Sequence, residues 1–379
     1  MRVESRNFVK RRSGGEKNHD QIKLCLTGRS TMALWFRNAF QLSTTRSLNH
    51  LSGRAIFTSA RRQDAPDSTE TADTRIRDWI SKIMSKTHVQ DDVIDPYKLH
   101  LLDLTLPSFD RTRRLSPKPE LNTPIIPGTE LTFFPPLVPT EELFADGTDP
   151  SYSAPSPFFR RMWAGGEVAF DPHNPLRVGQ KLSCETTVED VQLKGWEKAR
   201  ETGTLDKDTM IFVKQRREVS NEHGFAVVER RTHVYRPELV DLPSAEATGK
   251  KQVTLHSDQL PPDEQFTFTP SAHTLFRFSA LTFNAHRIHL DPIYSSQQEG
   301  HEDRLVHGPM TALLLLRFAH FKMPSENHIA AFKYRATHPL VVDRPLTLNL
   351  AWTGERRAAE VWATNQEGIV GMRGSIVFT

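Results

Sequence analysis

The chain has only two cysteines in 379 residues, Cys25 and Cys184, far apart. Two thiols build no disulfide framework, which fits a reducing compartment or an organelle matrix. Long hydrophobic runs are missing as well: no stretch approaches the roughly 20 apolar residues that a membrane-spanning helix needs. Charge of one sign is scarce too. Lys and Arg number 49 against 46 Asp and Glu, a formal net charge of +3, too small to draw in nucleic acid. Proline and glycine, at 25 and 19, are plentiful, and so many turn-formers argue against a mostly helical protein. With 37% hydrophobic and 25% charged residues, the composition is that of a soluble globular protein with some poorly ordered sequence. The length exceeds what one ordinary core needs, so two domains or one fused double domain are expected.

One local absence is more informative. Residues 21–63 contain no Asp or Glu. From Met32 this window reads MALWFRNAFQLSTTRSLNHLSGRAIFTSARRQ, with Arg37, Arg46, Arg54, Arg61 and Arg62 among Trp35, Phe36, Phe40 and Leu42. An acid-poor, Arg- and Ser-rich amphipathic stretch is the pattern of a mitochondrial presequence, and RAIFTS resembles a processing site. Residues 1–62 are therefore expected to direct the protein to the mitochondrial matrix. Whether translation begins at Met1 or Met32 stays open. Residues 63–74, QDAPDSTETADT, are acidic and polar and read as a linker.

From Arg75 the character changes. RIRDWISKIMSK predicts a short amphipathic helix. The Pro-rich region 95–157, which includes LTFFPPLVP, predicts loops with a short strand over 131–134. Two later segments then resemble each other. NPLRVGQKLSCET begins at Asn174 and HPLVVDRPLTLNL at His338, so that Pro175, Leu176, Val178 and Leu182 match Pro339, Leu340, Val342 and Leu346. Further on, NEHGFAVVERRTHVY matches NQEGIVGMRGSIVF, with Asn221 against Asn365 and Gly224 against Gly368. A charged insertion, GWEKARETGTLDKD, separates the two blocks in the first copy. Each copy reads as a Pro-led strand, a turn, a strand, a turn and a strand. The mixed apolar and polar residues suit half-buried antiparallel strands, and Asn-x-x-Gly suits tight hairpins.

The second copy is preceded by a helix signal. Pro309 is placed to open a helix, because its missing N–H costs nothing there. Residues 310–321 are apolar nearly all round, which predicts burial on every side. A sheet curled around one buried helix is the hot-dog fold. The expected class is α+β, a double hot-dog, with residues 75–245 as a degenerate first half and 255–379 as the catalytic half. SPFFRRMWAGG is the nearest thing to a helix in the first half. The asymmetry points to one half doing chemistry while the other holds substrate.

Directly before the buried helix stands LTFNAHRIHLD, residues 281–291. Its histidines are able to take and give a proton near neutral pH. On an extended segment His286 and His289 would point to opposite faces. Their spacing invites a metal, but no third ligand accompanies them, so neither metal nor cofactor is expected. Arg287 is either a contact for a phosphate or carboxylate or a solvated charge. Asp291, before Pro292, reads as a helix cap. Gly308 sits where free backbone N–H groups and the positive end of a helix dipole collect, and Pro309 has no N–H, so Gly308 is the candidate oxyanion donor. Arginines come in adjacent pairs, Arg160–Arg161, Arg216–Arg217, Arg230–Arg231 and Arg356–Arg357. Most are expected outside, with some left to dock a carrier or CoA phosphates.

FSALTFNAHRIHLD followed by VHGPM is similar to the hydratase signature of the MaoC-like hot-dog enzymes. It looks closest to the fungal mitochondrial 3-hydroxyacyl-thioester dehydratases and their bacterial relatives acting on mesaconyl-CoA. FFPPLVPTEEL, FFRRMWAGGEV and PLRVGQKL are typical of that group, and the likeness runs from about residue 76 to 379. The resemblance implies syn elimination of water from a (3R)-hydroxyacyl thioester, or its reverse. It implies His289 as the catalytic histidine, with Asn284 and Gly308 beside it and His286, Arg287 and His307 on the substrate. Asn284 departs from the Asp that many short hydratases carry at this place. An amide cannot ionise, so Asn284 is expected to orient a water or the substrate hydroxyl while His289 handles both proton transfers. The implied role is dehydration on acyl carrier protein, or on CoA, in mitochondrial fatty acid synthesis. Rival readings are a hydratase of mesaconyl- or itaconyl-CoA and a non-catalytic acyl-thioester binding module. A thioesterase would need a carboxylate or Gln/Asp pair that the helix after Gly308 does not offer. No membrane span and no nucleic-acid partner are expected, and a homodimer is left open.

Overall fold

The repeat seen in the sequence organises the whole sheet. The computed structural model describes residues 69–109, 117–206, 208–237 and 261–379. The expected targeting segment 1–62, with Cys25, and residues 63–68 of the expected linker lie outside the described residues. The rest of that linker is helical, because α1 runs Thr69–Met84 and starts six residues ahead of the expected helix. Ala72, Ile76 and Ile83 are its buried face, and Asp73 accepts a hydrogen bond from the Trp196 indole at 2.9 Å.

The remaining elements follow in order. β1 (Thr87–Val93) leads into α2 (Pro96–Thr105) and, after a long Pro-rich connection, β2 (Arg160–Phe170). β3 (Lys181–Lys194), α3 (Trp196–Thr202), β4 (Met210–Asn221) and β5 (Gly224–Arg236) complete the first half. The second half comprises β6 (Glu264–Phe268), α4 (Ala272–Thr282), α5 (Pro292–Gln297), α6 (Gly308–Lys322), β7 (Ile329–Ala336), β8 (Leu346–Thr353), β9 (Ala358–Thr364) and β10 (Val370–Phe378). All ten strands form one sheet in the order β1-β3-β4-β5-β2-β7-β10-β9-β8-β6. Reading outward from the centre, each half repeats the same order. The β4–β5 and β9–β10 hairpins turn on the matched Asn-x-x-Gly tetrads. Asn221 accepts from the His223 amide at 2.9 Å and Asn365 from the Glu367 amide at 3.1 Å. Gly224 and Gly368 both take positive φ, +110° and +77°, which glycine adopts without strain. The charged insertion contains α3.

The seam between halves overturns one expectation. Residues 156–166 hold no helix; they enter β2, which pairs with β5 on one side and β7 on the other. Gly165 marks the reason. A Cβ there would lie 2.4 Å from the Tyr334 carbonyl oxygen, so the paired glycines mark close backbone approach and a bulge. The strand expected over 131–134 is also replaced, by a 3-10 turn Thr129–Thr132 that tucks Phe133 and Phe134 into the first-half core.

In the second half the sheet wraps α6. Every residue from Met310 to Ala319 is buried. Arg317 is the one charge inside that run and is answered by Asp103 of α2 at 2.6 Å. Leu102, Leu106 and Phe109 join the same core. Of the first-half helices, α1 and α3 pack on one end of its sheet, whereas α2 is shared, with Leu99 in the first-half core and Leu102 and Leu106 turned to the second half and α4. The double hot-dog is therefore lopsided, and the middle of the first half's inner face is left without a helix to cover it.

Candidate active site

A cavity of about 470 Å³ lies against that uncovered face, within the range usual for small-ligand sites. One wall is the inner face of the first sheet, including Thr186, Gln215 and His233. The opposite wall is Asn284, His286, His289 and Gly308, and the Pro-rich segment 134–138 also lines it.

The chain is steered into this wall by the end of α4. Phe283 takes a left-handed conformation, φ +52°, and the Asn284 amide returns to the Ser279 carbonyl at 2.9 Å. Asn284 then faces the cavity. Its side-chain oxygen accepts from the His286 amide at 3.1 Å, so the NH₂ group is what remains to be offered to a ligand. Replacing Asn284 by Ala is expected to lower kcat about tenfold with little change in KM, the worth of one hydrogen bond near the reacting atoms. Steady-state kinetics would detect this, and an unchanged kcat would remove Asn284 from the chemistry.

His289 follows in a 3-10 turn, Arg287–His289, closed by its amide on the His286 carbonyl. Because the segment is a turn and not extended, His286 and His289 face the same cavity, with ring centroids 5.7 Å apart. The Nδ1 of His289 lies 2.8 Å from the Leu305 carbonyl oxygen. A carbonyl only accepts, so the neutral ring carries its proton on Nδ1 and its lone pair on Nε2. Leu305 is itself held by the Ile288 carbonyl and by a bridge to Val341 in the repeated Pro-Leu-x-Val segment. His307 stacks on His289, with centroids 3.7 Å apart and planes 21° apart, and bonds Ser279 at 2.8 Å. It is fully buried behind His289 and does not line the cavity. Its place, behind the ring of His289 and off the cavity wall, is that of a positioning residue.

Burial drives the pKa of His289 down to about 4, with the Leu305 bond opposing and Arg161 and His301 adding to the fall. Burial likewise holds His286 and His307 well below the usual histidine range. His289 is therefore a neutral base at pH 7. Because the active form is the unprotonated one, kcat/KM should stay level from about pH 8 down to about 5 and fall only as pH approaches 4. A pH–rate profile bending near 6.5 would contradict this environment.

Gly308 begins α6 and lines the cavity. Helix-start amides have no partner within the helix. A Cβ at Gly308 would press on the Trp163 ring at 3.1 Å, which explains the bare residue. Arg287 is not brought to the site. It pairs with Asp291 at 2.7 Å, lies over Tyr294 and is exposed. Asp291 caps α5 as expected, accepting from the Ile293 and Tyr294 amides.

Sequence reasoning did not foresee the loop that clamps the catalytic turn. The Arg287 amide donates to the Asp146 carbonyl at 2.8 Å, and Gly147 packs against the Ala285 carbonyl. It also placed most paired arginines outside. Arg216 and Arg230 do meet Glu189 outside, but Arg217, Arg231 and both members of the pair Arg160–Arg161 line the cavity. For Arg217 and Arg231 the signal was present, since neighbours on a strand point to opposite faces.

Comparison with known proteins gives the family. The family model described as hydroxyacyl-thioester dehydratase type 2 matches residues 128–342. The chain is 30% identical over 284 residues to a mesaconyl-C(4)-CoA hydratase of Chloroflexus aurantiacus, covering 74% of this chain and 91% of that one. It is 28% identical over 251 residues to the mitochondrial hydroxyacyl-thioester dehydratase type 2 of Schizosaccharomyces pombe, covering 61% and 79%. Among solved structures, a MaoC-like dehydratase from Phytophthora capsici superposes with a TM-score of 0.54 at 15% identity, over 79% of this chain and 98% of that one. This last likeness concerns the fold.

Proposed function

The chain belongs to the hydroxyacyl-thioester dehydratase type 2 family and is a hydro-lyase, and we propose that it interconverts a 3-hydroxyacyl thioester and its 2-enoyl form with His289 as the acid–base group. The observation that carries this reading is a neutral histidine, its lone pair on Nε2, sharing one cavity with the amide of Gly308.

In the dehydrating direction, Nε2 of His289 takes the proton from the carbon next to the thioester carbonyl. The electron pair of that C–H bond moves toward the carbonyl oxygen, where the Gly308 N–H stabilises the developing charge. Collapse of the enolate forms the carbon–carbon double bond and breaks the C–O bond at the neighbouring carbon. The departing hydroxyl takes the proton back from His289 and leaves as water. One ring serving both bonds makes the elimination syn. Asn284, through its NH₂ group, holds the hydroxyl oxygen. Hydration runs the same steps backward.

The reading of a (3R)-hydroxyacyl group on acyl carrier protein, in the matrix, for fatty acid synthesis, draws on residues 1–62 and on the name of the S. pombe relative. A second reading, hydration of a short dicarboxylic enoyl-CoA, has a specific observation in its favour, namely Arg217 and Arg231 on the cavity wall, only 9% and 16% exposed. The test is to supply crotonyl-CoA, mesaconyl-CoA and a 3-hydroxyacyl carrier protein to the purified chain and follow enoyl absorbance. Turnover of at least one, abolished in His289→Ala, is the expected result. No turnover of any would return the chain to a binding module.

A further inference from the structure

The inner face of the first half has an unusual centre. Along β4 and β5 it is apolar at one end, with Val219 and Val227, and apolar at the other, with Ile211, Val213 and Tyr235. Between them stand Gln215, Arg217, Glu229 and Arg231. Arg217 donates to Glu229 at 3.2 Å, and Arg231 holds the same carboxylate with two bonds, one of 3.0 Å. The Arg217, Glu229 and Arg231 side chains are only 9%, 5% and 16% exposed. Two guanidiniums thus share one carboxylate.

Of the other carboxylates on this side, Glu299 is taken by Arg160, and the buried one that acts on Glu229 and Arg217 does not restore balance. Glu130 is buried, with one carboxyl oxygen taken by the Gly128 amide at 2.8 Å and the other without a partner among the described residues. Burial pushes its pKa up to about 8, so it is mostly neutral at pH 7. The cluster keeps one uncompensated positive charge, which is costly in a buried setting unless an anion joins it.

Its position relates it to the chemistry. Arg217 and Arg231 both line the cavity that His289 and Gly308 line. The Arg231 guanidinium lies over the Trp163 ring, 5.1 Å from its centroid. That same ring packs against Gly308. The surplus cation is therefore one indole away from the amide assigned to the thioester oxygen.

We propose that Arg231, backed by Arg217, forms a carboxylate subsite at the acyl end of the cavity, so that the preferred substrate is the monothioester of a short unsaturated dicarboxylic acid. This rests on the hydro-lyase reading above and narrows its substrate. The free donors of the two guanidiniums receive the second carboxylate, which neutralises the cluster and fixes the acyl group against Trp163. A plain hydrocarbon chain there would leave the charge unanswered and set methylenes against it. A group built to bind a polar substituent discriminates strongly against the analogue lacking it.

The experiment compares kcat/KM for hydration of mesaconyl-CoA, crotonyl-CoA and 2-decenoyl-CoA by wild type, Arg231→Met and Arg231→Lys. Wild type should favour mesaconyl-CoA over both by at least about 100-fold. In Arg231→Met the mesaconyl-to-crotonyl ratio should fall to near one, with the loss chiefly in KM. Arg231→Lys keeps the charge and the Glu229 pair, and should recover part of the ratio even if the methionine variant folds poorly. If wild type hydrates crotonyl- or 2-decenoyl-CoA as well as mesaconyl-CoA, in a His289-dependent manner, the carboxylate subsite is wrong and the hydro-lyase reading stands. If the ratio is high but unaffected by either substitution, the site is also overturned. If wild type turns over no thioester at all, the hydro-lyase reading itself falls.

Discussion

His289→Ala is expected to lower kcat by on the order of 10³ to 10⁴, the upper part of the range for a single acid–base group, because one ring serves two proton transfers. The substitution also removes the bond to the Leu305 carbonyl, so a second variant separates chemistry from structure. His289→Gln keeps a donor for Leu305 and fills most of the space, yet its amide cannot accept a proton. It should be as inactive as the alanine variant while melting close to wild type. The stacked His307 and the edge of His286 would still frame the site. Rate measurements on both, beside thermal unfolding, decide the matter; appreciable activity in His289→Gln would mean that another group carries the proton.

The second large effect concerns the amide of residue 308. Gly308→Ala keeps the N–H but adds a Cβ that meets the Trp163 ring at 3.1 Å. It also places a side chain before Pro309, where the proline ring crowds a helical neighbour. Gly308→Pro adds the same Cβ and replaces the N–H hydrogen with a ring carbon. Proline is tolerated at a first helical position, and His307 before it already has extended backbone, φ −61° and ψ 131°. The ratio of the two variants therefore reads the loss of the donor together with the ring carbon that takes its place. Gly308→Pro should be slower than Gly308→Ala by about 100- to 1,000-fold in kcat, the usual worth of one oxyanion donor. Equal rates in the two folded variants would place the oxyanion elsewhere.

Much of this architecture could be read from the sequence where local chemistry and tertiary structure agreed. The hairpins were legible because Asn221 and Asn365 do the same turn work in both copies, and because Gly224 and Gly368 need positive φ. The helix α6 was legible because a run buried on all sides has no polar face. Elsewhere a competing force won. Residues 156–166 resemble the end of a helix, but Gly165 and Gly166 serve the approach of β7 across the seam. The start of α4 carries a capping box on Ser271 and Thr274, a weaker signal than the usual Glu or Gln at that place.

At the site, His289, Asn284, His286 and Gly308 were identified from one stretch and its following helix, and the structure gathers them into one cavity. Arg287 was not separable from them by sequence alone. Its direction is decided by Asp291 and Tyr294, which give it an ion pair and a ring on the outer side. Arg217 and Arg231 were hidden by the opposite error. A pair of adjacent arginines looks like a solvated face, whereas strand alternation sends one of each pair inward to meet Glu229.

The central claim is that one thioester lies between His289 and Gly308. The most direct measurement is a crystal structure with an unreactive analogue of the 3-hydroxyacyl thioester. The account predicts the thioester oxygen at about 2.7–3.1 Å from the Gly308 nitrogen, with the carbon to be deprotonated and the hydroxyl both facing Nε2 of His289. An analogue bound with its carbonyl turned away from the head of α6, or with His289 out of reach of those atoms, would contradict it.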